Sequence, residues 1–199
     1  MAGWNKVGAR KLCIGLTGRM ASGKGEVARL LQGRGFSYIS LSDIVRREAA
    51  REGGTADRLR MQDIGNRLRA RDGAGVLGRR VRETVLADAA THWVIDGIRH
   101  PAEVLELRRI DAFILIGIEC SVPTILARMK ARGRASDAGA ERELRAALDR
   151  EWGLGEPANG QQVGPTLALA DFFIDNNGTL DGLRDRLDAV LEKIGAGHV

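Results

Sequence analysis

The sequence predicts an α/β domain in which helices cover both faces of a five-stranded parallel sheet. Two observations carry this. Five short apolar runs, rich in Ile, Val, Leu and Phe and lacking polar alternation, are spaced along the chain, as expected of strands buried on both faces. Helix-length patterns separate them, so each strand is followed by a crossover rather than a hairpin.

The first run, Lys11–Thr17, leads through a glycine-rich turn into a helical pattern at Glu26–Gln32. Phe36–Ser40 is the second strand. A helix over Ser42–Glu52 follows it, with Ser42 or Asp43 as the expected cap. Two arginine-rich helices, near Asp57–Arg71 and Gly75–Ala90, fill the gap before the third strand, Trp93–Asp96. Pro101–Arg109 starts on a proline, whose missing N–H costs nothing in a first helical turn. Phe113–Cys120 is the fourth strand and Val122–Arg132 the helix after it. Gly153–Gly164 reads as a loop by composition. Phe172–Asp175 is the fifth strand. The last helix repeats Leu180, Leu183, Leu187, Val190, Leu191 and Ile194 on one face, the stripe of a helix packed on a sheet. No linker or repeat interrupts the alternation, so residues 1–199 are expected to form one domain.

Composition narrows the classes. The 199 residues are 44% hydrophobic and 29% charged, ordinary globular values that exclude a disordered or fibrous chain. No stretch approaches the roughly 20 apolar residues of a membrane span, and residues 1–12 lack the apolar segment of a signal peptide. Cys13 and Cys120 both lie in apolar runs and read as buried thiols in a reducing, cytoplasmic compartment. The net charge of +5 is carried almost wholly by arginine, 26 residues against 5 lysines. Residues 46–82 hold 11 arginines, no lysine and five acids, so the rest of the chain is slightly acidic. Arginine's planar fork suits phosphate, although a solvated helix surface produces the same composition.

The segment Gly18-Arg19-Met20-Ala21-Ser22-Gly23-Lys24-Gly25 fits G-x-x-x-x-G-K, with Gly25 in place of the usual Ser or Thr. It stands between a strand and a helix that opens with Glu26, the context that makes the pattern specific. Glycines let successive N–H groups converge on a phosphate, the helix N-terminus adds partial positive charge, and Lys24 supplies a full one. Gly25 removes the hydroxyl that commonly ligates Mg²⁺, leaving the ion to water and a carboxylate elsewhere.

Further segments resemble the nucleoside monophosphate kinases, adenylate kinase and its GKGE-loop relatives above all. Ile39-Ser40-Leu41-Ser42-Asp43-Ile44-Val45-Arg46 is similar to the adenylate kinase I-S-T-G-D-M-L-R segment, with Leu41 in place of a substrate-contacting Thr. Val94-Ile95-Asp96-Gly97-Ile98-Arg99 is similar to D-G-F-P-R, its arginine one residue early. Arg128 and Arg132, one turn apart on one helix face, resemble the pair that leads into the lid, with Arg134 just beyond. The resemblance implies a P-loop NTP hydrolase-type three-layer α/β/α sandwich. It would carry a helical acceptor-binding insertion at about 41–90 and a lid at about 131–165. It implies ATP bound by residues 18–26 and Arg128, with Lys24, Asp96, Arg128 and Arg132 catalytic and Asp96 orienting Mg²⁺ through water. Ser42, Asp43, Arg46, Gly97 and Arg99 would bind the acceptor. His100 reads as a turn residue, and the other ten arginines of 46–82 as surface. The tail from Ala170 to Leu180 resembles dephospho-CoA kinase instead, a family with a hydroxyl acceptor, for which Asp43 would be the base.

The expected activity is therefore ATP-dependent phosphoryl transfer to a small phosphorylated acceptor, a nucleoside or deoxynucleoside monophosphate. A nucleotide-binding regulatory ATPase without an acceptor is the competing class. Nucleic-acid binding is disfavoured, because none of the eight aromatics lies in the arginine-rich window to stack a base.

Overall fold

A computed structural model describes residues 11–53, 58–132 and 141–196, without the side chains of Arg58 and Arg132. The elements run β1 (Leu12–Thr17), α1 (Lys24–Gln32), β2 (Ser37–Ser40), α2 (Leu41–Glu52), α3 (Arg58–Asp72), α4 (Val76–Ala87) and β3 (His92–Ile98). They continue with α5 (Pro101–Leu107), β4 (Ala112–Glu119), α6 (Val122–Arg132), α7 (Glu141–Trp152), α8 (Val163–Leu167), β5 (Phe172–Asp175) and α9 (Leu180–Lys193). The sheet order is β2-β3-β1-β4-β5, every pairing parallel. The chain leaves β1 towards β3 and β2 on one side and later fills β4 and β5 on the other. The carboxyl end of β1 is thus a topological switch point, where open α/β sheets bind ligands.

Alternation along β1 divides the core. Cys13 joins the cluster built by α2, α3, α4 and α5, with Leu41, Val45, Ile64, Leu77 and Val104. Ile14 and Leu16 join the opposite cluster, built with Val27 and Leu31 of α1 and Leu183 and Leu187 of α9. Period-two side-chain direction in the strand, set against helical stripes, is what sorts these residues.

Several boundaries move from the sequence expectation, each for a local reason. β3 continues through Asp96 to Ile98, because its pairing with β1 shifts from Gly15↔Ile95 to Thr17↔Ile98. The extra residue is a bulge at Asp96–Gly97, where Gly97 takes φ +79°, and a bulge re-aims the side chain beside it. The cap of α2 is Ser40 rather than Ser42 or Asp43: its extended backbone lets Oγ accept from Ser42 N at 3.2 Å. His100 caps α5 through Nδ1, and Glu103 returns the capping-box bond to His100 N at 3.1 Å.

Two helices lie where the sequence reading placed none. α7 buries Leu144, Ala147, Leu148 and Glu151 at i, i+3, i+4 and i+7. Its apolar members join Met20, Ile125 and Met129 in a third core cluster. α8 begins in the last two residues of the stretch read as loop, runs past it, and buries Val163 and Leu167.

Candidate functional site

The loop after β1 is shaped by positions that admit no side chain. Gly18 has φ +138°, and a Cβ there would strike the Ile118 carbonyl. Gly23 has φ +108°, and a Cβ there would strike the Asn176 amide. That amide, buried in the β5–α9 turn, donates to Ser22 O at 2.7 Å. Ala21 also takes a positive φ, +56°. Lys24, 8% exposed, donates from Nζ to Gly18 O at 2.7 Å and Arg19 O at 2.8 Å. Its ammonium is thereby held across the mouth of the loop. A Cβ at Gly25 would meet nothing within 4 Å, so the missing hydroxyl is not excluded by space.

Around the loop opens a cleft of about 1090 Å³ at the carboxyl ends of the strands. It is bordered by the loop from Met20 to Glu26 (Ser22 apart), by Ser42 and Arg46 of α2, by Asp96, Gly97 and Arg99, and by Arg128 of α6. The expected donor-side and acceptor-side residues are therefore brought together. Gly18, Arg19, Ser22 and Asp43 stand outside the cleft wall. Asp43 is instead ion-paired with Arg46 one turn on. Arg19 lies over the Trp152 ring, 4.1 Å from its centre, a cation–π contact. Burial lowers its pKa, opposed by the charges of Glu151 and Asp149. Glu26 borders the cleft with its carboxylate on Arg29 Nε at 3.2 Å, a bond that lowers its pKa. The Arg132 side chain and Arg134 lie outside the described residues.

Asp96 is fixed from two sides. Its Oδ1 accepts from Gly97 N at 2.6 Å and its Oδ2 from the Tyr38 hydroxyl at 3.3 Å. Burial and the Asp96 charge raise the Tyr38 pKa, which keeps the phenol a donor. Among the described residues no group of three or more His, Cys, Asp or Glu side chains can hold a metal. Asp96, a carboxylate bordering the cleft beside a phosphate-binding loop, fits Mg²⁺, which retains several waters and takes one or two carboxylates with substrate phosphates.

Several site residues were not singled out from sequence. Glu151 of α7, 1% exposed, accepts from Met20 N at 2.6 Å and lies 3.3 Å from Arg99 Nε. It therefore ties the phosphate-binding loop to the third-strand arginine. The Leu144, Ala147, Leu148 spacing marks α7 in the sequence, and one further turn reaches Glu151. Arg69 corrects the reading of the window arginines as surface. It is 4% exposed, borders the cleft, and pairs with the fully buried Glu103 at 2.8 Å. Glu103 also accepts from Arg99 N at 2.9 Å. Among the other described arginines of the window, Arg51, Arg67 and Arg71 are exposed ion-pair partners, while Arg60, Arg80 and Arg82 are half-buried ones. Cys120 departs from the buried-thiol expectation. It is half-exposed and accepts from Arg128 Nη1 at 3.4 Å. Burial raises its pKa, opposed by Arg128. His100, read from sequence as a turn residue, is the N-cap of α5, and its Nε2 lies 2.9 Å from Ala158 O.

The fold and loop define a P-loop nucleotide-binding protein of kinase-like architecture. Residues 14–148 match the model of a family described as AAA domain. A UPF0200 protein of Methanoculleus marisnigri is 32% identical over 183 residues, covering 92% of this chain and 96% of the relative. The chain belongs to this AAA domain family and to the UPF0200 proteins. Among solved structures, TT1252 from Thermus thermophilus aligns with TM-score 0.60 at 22% identity, covering 92% of this chain and 98% of the other. A shikimate kinase from Acinetobacter baumannii in complex with shikimate aligns with TM-score 0.55 at 17% identity, covering 96% and 97%. These likenesses show the P-loop kinase-like α/β fold. No helix of the described residues is long and apolar enough to cross a membrane.

Proposed function

We propose that this protein is an ATP-dependent kinase. It would transfer the γ-phosphoryl group to a small phosphorylated acceptor, a nucleoside or deoxynucleoside monophosphate. The observation that carries the reading is that one cleft holds Lys24 and its loop, the bulge-aimed Asp96, and the arginines 46, 99 and 128 on three sides. In the reaction an oxygen of the acceptor phosphate attacks the γ-phosphorus, and the bond to the β–γ bridging oxygen breaks to leave ADP. The loop amides and Lys24 hold the donor phosphates. Arg46 and Arg99 fix the acceptor phosphate, while Arg128 faces the transferring group. Mg²⁺, when bound, neutralises donor phosphate charge, and Asp96 is the residue placed to orient its waters. A phosphate acceptor is already anionic, so positioning and electrostatics suffice. Asp43 is not in the cleft wall and is ion-paired with Arg46, which supports a phosphate acceptor over a hydroxyl that needs a base. Two unpaired cysteines suit a reducing, cytoplasmic setting.

The test is acceptor-dependent ADP release over ribo- and deoxynucleoside monophosphates and dephospho-CoA, with Mg²⁺ and ATP. At least one monophosphate is expected to stimulate release. Lys24→Ala is expected to reduce that rate about 10²–10³-fold, the scale of one lost electrostatic donor. Stimulation by dephospho-CoA alone would move the acceptor to a hydroxyl. Tight ATP binding without stimulation by any acceptor would leave the regulatory ATPase.

A further inference from the structure

The half of the cleft away from the loop is built by α3, and its composition is specific. Gln62, Gly65 and Arg69 lie at i, i+3 and i+7, one face of the helix, and all three border the cleft. A glycine inside a helix is disfavoured relative to alanine, and a side chain at Gly65 would stand against Arg69 Nη1 and Val45. Opposite it the segment after α7 brings in Gln161. Gln62 is 4% exposed and Gln161 6%, and the Gln62 Nε2 to Gln161 Oε1 separation is 3.4 Å. Gln62 Oε1 is buried with no hydrogen-bond partner. Two buried amides thus meet in one long bond, one acceptor atom unsatisfied, on the wall of an open cleft. An unsatisfied buried carbonyl is costly, and an N–H brought against it would relieve that cost.

We infer that Gln62 and Gln161 are the specificity-determining pair of the acceptor site, reading a nucleobase edge on which a donor and an acceptor stand side by side. The inference rests on the kinase reading above for the identity of the bound molecule, not for the chemistry of the pocket. Flanking the pair, Leu41, Val45, Met61 and Leu77 border the same cleft. These aliphatic side chains suit the faces of a planar ring. A polyhydroxylated ring would set its hydroxyls against them without partners. The amides select the edge, the aliphatic wall the plane, and Arg46 and Arg99 the phosphate at the other end.

The experiment is calorimetric titration of AMP, CMP, GMP, UMP, dTMP and ribose 5-phosphate into protein saturated with Mg²⁺ and a non-hydrolysable ATP analogue. At least one nucleotide is expected to bind tenfold or more tighter than ribose 5-phosphate. Gln62→Leu and Gln161→Leu each reduce that preference about tenfold or more, the scale of a lost hydrogen bond that strands its partner. Affinity for the ATP analogue stays within about twofold. Gln62→Glu, an acceptor-only edge, changes the rank order of the bases, which a merely structural role would not do. Equal binding of ribose 5-phosphate and every nucleotide overturns the inference, and this comparison needs no variant to fold. Absence of nucleotide binding, or a base preference unmoved in both leucine variants, overturns it as well. Base-selective binding lost in the variants, but with no phosphoryl transfer, would sustain the pocket and remove the kinase reading.

Discussion

The two walls of the cleft are held by different kinds of interaction. On the donor side the backbone does the shaping. Gly18 and Gly23 adopt positive φ, and one buried amide from Asn176 braces the loop at Ser22 O. On the acceptor side long polar side chains do it, across large sequence separations. Arg69 pairs with Glu103, Asn66 Nδ2 donates to Glu156 at 2.7 Å, and Arg150 reaches Asp63 at 2.7 Å. The first wall resists change because there is no room for a side chain. The second depends on each charge or amide finding its partner.

The sharpest way to break the contrast is Glu103→Ala. Glu103 is fully buried and serves Arg69, Arg99 N and His100 N together. Removing it strands a buried guanidinium and two backbone donors. Loss of one partner of a buried ion pair costs about 3–5 kcal/mol, so the urea midpoint is expected to fall by that equivalent. A loss under about 1 kcal/mol would mean that water reaches Arg69 and that this wall is looser than its burial indicates.

Legibility followed the same divide. The donor wall could be read because its determinants are contiguous: eight residues between a strand and a helix, with glycines where backbones must approach. Asp96 and Arg99 were also singled out, since they lie at the end of β3 and just after it, where parallel sheets collect ligands, and Arg46 was singled out in the helix that follows β2. Arg69 was lost in a window of eleven arginines, several of them exposed ion-pair partners. Only its partner distinguishes it, and Glu103 lies 34 residues away. Gln62 and Gln161 are 99 residues apart, and neither residue type announces chemistry. Glu151 was missed because its helix was, although Leu144, Ala147 and Leu148 carry the period. The bulge at Asp96 has no local signature beyond Gly97.

Asn176→Ala probes the donor wall at the long-range bond from the β5–α9 turn. The substitution removes the donor to Ser22 O and leaves that carbonyl buried, a loss of about 1–3 kcal/mol. Because the bond ends on the loop, the effect is expected in ATP affinity as well as in stability. Acceptor binding to protein saturated with the ATP analogue should be unchanged. A variant with lower stability but wild-type ATP affinity would show that the loop keeps its binding shape without this bond.

The smallest effect separates the two faces of β1. Cys13 packs with the acceptor-side cluster, whereas its neighbour Ile14 packs with the donor-side one. Burial raises the Cys13 thiol pKa to about 11, against a weaker opposing pull from Lys11. In the unfolded chain the thiol ionises near 9, so between about 9 and 11 the unfolded state holds fewer protons than the folded one. Stability must then fall as pH rises through that range. At pH 10 the deficit is about 1 kcal/mol, one unit above the unfolded value. Denaturation midpoints at pH 8 and pH 10 measure it, and Cys13→Ala should remove that component of the slope. An unchanged slope would mean that the acceptor-side cluster admits water at β1, and that its wall is held by the ion pairs without a dry core behind them.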